Sequence, residues 1–264
     1  MDLSIIIVNY KSKNKLQNCL QSIYSSDLSF IKYEVIVIEN CSGDDLTDLK
    51  DEYKFNLIIT DRNLGMGGGN NLGINKAQAE HVFVLNPDTI IRADAVKILF
   101  SRLTTEEEIG LIGPKLIYPD GSLQYSCSRF PNFFIPVLRR TFLGEYFKKS
   151  RDYFMMTDFD HEKSIEVDWL MGSCLMFKKS WVKKDASIYY PLFDKRYFMY
   201  FEDIDLCREI KRNEKIVIYE PKAVIIHDHA RESAKNPWYI ALFRDKITWI
   251  HISSWLKYFL KWGF

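Results

Sequence analysis

Ser4-Ile5-Ile6-Ile7-Val8-Asn9-Tyr10 is a β-branched run closed by two polar residues. This is the pattern of a strand buried on both faces that carries its last side chains to a sheet edge. The same grammar returns three times. Residues 34–38, 57–60 and 81–85 are apolar runs, followed by Glu39-Asn40, Asp61-Arg62-Asn63 and Asn86-Pro87-Asp88. Helix-like stretches at 13–25, 46–53 and 69–79 separate the runs, and another follows at 93–103. The alternation predicts βαβ units and an α/β fold: an open, doubly wound, Rossmann-like, mostly parallel sheet flanked by helices. In such a sheet the carboxyl ends of the strands line one crevice where ligands bind. Any one polar turn is unremarkable, but four in succession mark this edge as the candidate site.

From residue 110 the grammar changes. Residues 110–118 read as a strand, followed by a tight turn at Pro119-Asp120-Gly121-Ser122. Residues 130–150 mix aromatic and basic side chains without clear periodicity. Residues 167–178 read as one strand interrupted near Gly172, residues 202–212 as a short helix, 215–219 and 223–227 as two strands flanking Pro221, and the tail from 238 as helical. The expected organisation is one domain over 1–236 and a helical tail over 237–264.

Composition narrows the function classes. The 264 residues are 47% hydrophobic and 27% charged, which excludes disorder. Lys plus Arg is 36 against 35 for Asp plus Glu. Such a balance argues against a nucleic-acid partner bound through phosphate neutralisation. The five cysteines are odd in number and lack C-x-x-C spacing, which disfavours a disulfide framework or a zinc site and suits a reducing compartment. The amino terminus lacks a signal-peptide pattern, and no run is long and apolar enough to span a membrane. The expected location is therefore cytoplasmic.

Several residue groups suit chemistry. Asn63-Leu64-Gly65-Met66-Gly67-Gly68-Gly69-Asn70-Asn71 is a glycine-rich turn entering a helix, where backbone N–H groups meet anions; a plain loop is the rival reading. Asp88, directly after an apolar strand, stands where Mg²⁺ or Mn²⁺ would sit beside a diphosphate; its rival role is a cap for the next helix. Glu202, Asp203 and Asp205 follow the aromatic approach Tyr197-Phe198-Met199-Tyr200-Phe201. That desolvating wall suits a carboxylate base with a raised pKa, against the bland reading of acids on a solvated first helical turn. His227-Asp228-His229 closes a late strand and offers a metal or phosphate contact, against the generic reading of a pair of surface or core histidines. No G-x-S-x-G elbow supports nucleophilic Ser chemistry.

In order and spacing, SIIIVNY, VIVIENCSGDD, RNLGMGGGNNLGI, FVLNPDT, DWLMGSCLMFKK, FDKRYFMYFEDIDLCREI and HDHARES resemble the inverting glycosyltransferases of family 2, most closely their rhamnosyltransferase-like branch. The resemblance spans residues 4–233 and implies a GT-A-type fold and transfer of a sugar from a nucleotide donor to an acceptor hydroxyl. It assigns Asn9, Glu39, Asn40, Ser42, Asp44, Arg62, Asn63, Gly65, Asn71 and Asn86 to the nucleotide and donor. Asn86-Pro87-Asp88 takes the D-x-D position with its first acid replaced, leaving Asp88 as metal ligand. Asp168 and Trp169 face donor sugar and acceptor, Asp203 is the base with Glu202 beside it, and His227 or His229 is a late metal or phosphate contact.

The expected partners are dTDP-rhamnose or a UDP-sugar, a divalent cation, and a glycan or polyprenyl-diphosphate-linked acceptor in surface polysaccharide (O-antigen-type) synthesis. A sugar-phosphate nucleotidyltransferase and a non-catalytic nucleotide-sugar-binding protein are the alternatives. The tail holds nine aromatics and one acid over residues 238–264. On a helical wheel Lys246, Ser253, Lys257 and Lys261 share a narrow face, and Trp249, Ile252, Trp255, Phe259 and Trp262 the wide remainder. That suggests an interfacial helix at the inner face of the cell membrane; packing on the domain, or a homodimer contact, is the competing use.

Overall fold

The structure, a computed structural model, describes residues 1–182, 192–228 and 245–263. The first four strands, β1 (Leu3–Asn9), β2 (Tyr33–Glu39), β3 (Asn56–Ile59) and β4 (His81–Leu85), alternate with α1 (Lys13–Tyr24), α2 (Thr47–Glu52) and α3 (Gly65–Lys76). They pair in parallel in the order β3-β2-β1-β4. Then come β5 (Thr89–Ile91), α4 (Ala95–Thr105), β6 (Ile109–Ile117), β7 (Leu123–Gln124) and β8 (Cys127–Ser128). The aromatic-basic stretch without periodicity folds into three short helices, α5 (Ile135–Arg140), α6 (Leu143–Tyr146) and α7 (Lys148–Met155). The chain continues through β9 (Ile165–Glu166), β10 (Trp169–Leu170), β11 (Cys174–Lys178), α8 (Glu202–Arg212), β12 (Ile216–His227) and α9 (Lys246–Trp262).

The sheet runs on from β4 through β11, β6 and β12 to β5. β12 is parallel to β6, but β11 enters antiparallel between β4 and β6. That reversal sets the amino end of β11 beside the carboxyl end of β4, with Cys174 opposite Leu85. The segment read as one interrupted strand is thus two strands in different sheets, because β10 pairs with β8 instead. The two late strands are one. β12 passes through Pro221 on a register shift against β6 between Glu220 and Val224; such an irregularity is where a strand tolerates a residue with no N–H to donate.

Alternation along each strand divides the core. Ile6, Val8, Ile36, Ile38, Val82 and Val84 face a layer containing α3, α8 and α9, whereas Ile5, Ile7, Val35, Val37, Phe83 and Leu85 face α1, α2 and α4. Helix α3 begins four residues before the predicted start, so the glycine-rich stretch is its first turn. Asn63 Oδ1 accepts the Gly65 N–H at 2.8 Å and closes the entry. A Cβ on Gly69 would lie 2.8 Å from Val8 Cγ1, and one on Gly73 2.5 Å from Ile6 Cγ2. These glycines let the helix backbone settle onto β1.

The tail does not sort as its wheel suggested. Tyr258 and Phe259 are buried and Trp255 and Trp262 half-buried against the domain, and Lys261 turns inward. The outward face combines Trp249, Leu256 and Leu260 with Lys246, Ser253 and Lys257. No helix among the described residues is long and apolar enough to cross a membrane.

Candidate active site

The polar strand ends meet at one edge, each on a specific local device. Asn9, buried at the end of β1, donates from Nδ2 to Asp44 at 2.9 Å, and the Ser12 N–H donates to the same oxygen at 3.0 Å. Burial raises the Asp44 pKa, but the hydrogen bonds from Asn9, Ser12 and Ser42 outweigh it and hold the carboxyl below its ordinary value. Glu39, ending β2, accepts the Ser42 N–H at 2.7 Å and the Ser42 hydroxyl. Asn40 ties this loop to α3: its Oδ1 accepts the Leu64 N–H at 2.9 Å and its Nδ2 donates to Asn63 at 3.1 Å. Arg62 is exposed beside this crevice. Asn71, expected with the donor set, is buried in α3 and bound to a distant segment. Its amide clamps the Phe193 backbone, donating to the carbonyl at 2.7 Å and accepting the N–H at 2.9 Å.

Asp88 does not cap the following helix, because β5 intervenes and Asp94 stands at the α4 cap position. Instead β5 pairs with β12 and sets Asp88 beside His227, with Oδ1 3.3 Å from Nε2. The His227 ring is buried, and its Nδ1 lies 2.7 Å from Gln124 Oε1. With Nδ1 turned to Gln124, the other ring nitrogen, Nε2, faces the Asp88 carboxylate. Burial raises the Asp88 pKa, yet His227 and Lys15 outweigh it, so the carboxyl lies below its ordinary value. Carboxylate plus imidazole is a fitting donor set for a divalent cation that shares phosphate oxygens, although no cluster of three ligating side chains occurs among the described residues. His229 lies outside the described residues.

The acid pair opens α8. Asp203 accepts the Gly172 N–H at 2.9 Å and the Ile204 N–H at 2.8 Å. Burial raises its pKa against those bonds. Glu202 is buried, and its Oε2 has no hydrogen-bond partner among the described residues. Burial first, then the Asp203 charge, push it up to about 8. It is therefore no solvated complement to the helix dipole. Tyr200 and Phe201, just before the pair, both have left-handed backbones with φ of 70° and 69°, a conformation costing about 1–2 kcal/mol per non-glycine residue.

The two halves of the edge are joined by hydrogen bonds to two adjacent residues. Ser173 O accepts the Asn86 N–H at 2.8 Å, and the adjacent Gly172 N–H holds Asp203. The antiparallel β11 thus links the Asp88 strand end to the acid pair. Asp168 lies on the flank, accepting the Phe130 N–H at 3.1 Å and facing Lys211 at 3.3 Å; Trp169 stacks on Phe154 at 6.1 Å. Sequence reading missed Gln124, Lys15 and Lys211, which carry no motif and reach the site through long-range packing.

A GT-A-type sheet with polar strand ends, a carboxylate–imidazole pair and a desolvated acid pair defines the class of a glycosyltransferase. The family model described as Glycosyl transferase family 2 matches residues 4–185, and the chain belongs to that family. The matched segment ends before the acid pair. An N-acetylglucosaminyl-diphospho-decaprenol L-rhamnosyltransferase of Mycobacterium tuberculosis is 27% identical over 226 residues, covering 78% of this chain and 70% of that protein. The low-salt glycan biosynthesis hexosyltransferase Agl10 of Haloferax volcanii is 29% identical over 216 residues, covering 80% of this chain and 62% of its own length. Among solved structures, S. aureus TarS 1–349 superposes with a TM-score of 0.57 at 18% identity, over 86% of this chain and 60% of that one. GalNAc-T7, solved with UDP, GalNAc and Mn²⁺, gives 0.62 at 13% identity, over 86% and 43%. These superpositions establish the shared fold.

Proposed function

We propose that this glycosyltransferase inverts the anomeric centre of a nucleotide-sugar donor, with rhamnose the favoured sugar, and that its acceptor is a hydroxyl of a glycan or polyprenyl-diphosphate-linked glycan in surface polysaccharide synthesis. The observation that carries this reading is the Gly172-Ser173 bridge, which connects Asp88–His227 to Asp203. The sugar and the lipid-linked acceptor are suggested by the mycobacterial relative.

Asp203 takes the acceptor proton as that oxygen bonds the anomeric carbon, and the bond from that carbon to the nucleoside diphosphate breaks. Gly172 and Ile204 aim its two oxygens. Asp88 and His227 would hold a Mg²⁺ or Mn²⁺ ion, which supplies positive charge to the departing diphosphate. Asn9, Glu39, Asn40, Ser42, Asp44, Arg62, Asn63 and Gly65 border the nucleotide end, with Asn86 next to the metal end; Asp168 and Trp169 border the acceptor end. A nucleotidyltransferase needs no acceptor base, and the desolvated acid pair disfavours that alternative and the non-catalytic one.

The reading also places the protein peripherally at the inner face of an anionic membrane. The support is an outward surface on α6 and α7 where Phe142, Tyr146, Phe147 and Tyr153 are exposed beside Lys148 and Lys149.

The test is a thermal-shift screen of dTDP-rhamnose and UDP-sugars with and without Mn²⁺, followed by turnover of the stabilising donor. Asp203→Asn keeps donor binding and loses about 10²-fold or more in transfer. Near-normal turnover in Asp203→Asn with loss in Glu202→Gln exchanges their roles. Full activity in excess chelator removes the metal assignment.

A further inference from the structure

The approach to the acid pair is held from outside by α9. Ser254 Oγ donates to the Met199 carbonyl at 2.9 Å, and Lys257 Nζ donates to the Arg196 carbonyl at 3.0 Å. The His251 ring packs 5.0 Å from Tyr200 and 5.5 Å from Phe201, and Tyr258 lies 5.2 Å from Phe201. One turn on, α9 grips α8 itself. Asp205, buried two residues after Asp203, accepts from Lys261 Nζ at 2.8 Å and from Trp262 Nε1 at 2.7 Å. Lys261 also reaches Asp194 at 3.2 Å and Glu209 at 3.1 Å.

The gripped segment is joined to the donor side as well. The Phe198 carbonyl accepts the Met66 N–H at 3.0 Å in the first turn of α3, and a Cβ on Gly65 would fall 2.0 Å from that carbonyl oxygen. Residues 194–201 therefore bridge the glycine-rich turn and the acid pair, and they do so through two adjacent left-handed residues. A strained backbone of this kind persists only where surrounding contacts over-determine it. Here α9 supplies those contacts.

We infer that α9 is a catalytic strut: Ser254, bonded at Met199, and Lys261, bonded at Asp194 and Asp205, are positioning residues that hold residues 194–205 so that Asp203 meets the acceptor in the transfer geometry. This rests on the reading of Asp203 as the base. The strut acts on the geometry of transfer, whereas the nucleotide-facing loops after β1 and β2 are held by their own hydrogen bonds.

The test compares Ser254→Ala, Lys261→Met and Lys261→Arg in the full chain. Three quantities are read: UDP and dTDP binding with Mn²⁺, turnover of the donor that the screen identifies, and hydrogen exchange of residues 196–206. In Ser254→Ala and Lys261→Met, nucleotide binding is expected to stay at the wild-type value while kcat falls about tenfold or more, as misplacement of a reacting group predicts. Exchange rises at residues 196–206 and not in β1 to β4, and Lys261→Arg restores kcat. Wild-type kcat in both variants overturns the strut, as does an equal loss of nucleotide binding and turnover. Should Asp203→Asn stay active, the base reading fails by itself; exchange in Lys261→Met then decides the strut, and unchanged protection of 196–206 overturns it.

Discussion

At the scale of single residues, Glu202 and Asp203 sit side by side, and burial sets their chemistry. The Glu202 carboxyl is raised from 4.5 to about 8, by burial first and the Asp203 charge second. A buried acid with a raised folded pKa binds its proton more tightly in the native than in the unfolded state. Stability is then fully present below the unfolded pKa and is lost as pH rises through the folded one. The thermal midpoint is expected to fall between pH 5 and pH 8, and Glu202→Gln to fall less over that range because the amide cannot ionise. Parallel pH curves for the two proteins would remove the desolvated carboxyl. Sequence foresaw the raised acids, because five aromatic or apolar residues precede them. It missed the use of Asn71, whose partner Phe193 is far along the chain.

At the scale of elements, α3 shows how closely a helix must lie for the site to form. Its backbone sits on β1 through Gly69 and Gly73, and a Cβ on Gly73 would also lie 2.7 Å from Ile38 Cδ1. Gly73→Ala overpacks this contact and should destabilise the fold by about 1–3 kcal/mol, read as a lower midpoint in urea. Gly65→Ala is costlier: its φ is +75° and its Cβ meets the Phe198 carbonyl. It is expected to reduce both stability and nucleotide-dependent stabilisation, whereas Gly73→Ala leaves the latter intact. A Gly65→Ala protein as stable as wild type would break the link between α3 and the aromatic approach. The early start of α3 escaped sequence reading because glycine disfavours helix interiors; packing against β1 overrides that propensity.

At the scale of the molecule, two surfaces differ in what they offer. One edge of the sheet gathers the polar strand ends. Elsewhere Tyr146 at the end of α6 is 80% exposed and Phe142 just before it 63%, and α9 exposes Leu260 at 78% and Trp249 at 57%, the kind of clustered apolar surface that marks an interaction site. Glu145 and Asp152 pair with Arg151, while Lys148 and Lys149 point outward. The protein is expected to co-sediment with anionic vesicles and much less with zwitterionic ones. Replacing Phe142, Tyr146 and Phe147 by Ser should weaken that binding, and Trp249→Ser/Leu260→Ser should weaken it further. Equal sedimentation of wild type and both variants rejects the surface, and a wild-type dimer lost in the variants reassigns it to a second copy. Of the narrow tail face read from the wheel, Lys246, Ser253 and Lys257 stay outward, and Lys261 turns inward to Asp205.

Sequence by itself determined the parallel strands β1 to β4, the polar edge they present, and the position of the acids at the start of α8. Each follows from a local period or a local run: continuous apolar strands, polar turns, and an aromatic stretch ending in carboxylates. Tertiary structure alone decided that β11 enters antiparallel, that Gly172 and Ser173 bridge the two halves of the site, and that Asp88 meets His227. It also decided that α9 packs on the approach to the acid pair. The physical reason is that a hydrophobic period specifies which side of an element is buried but not which distant element buries it. That choice is made by strand register, by buried hydrogen-bond partners far apart in the chain, and by whether two backbones can approach where only glycine leaves room.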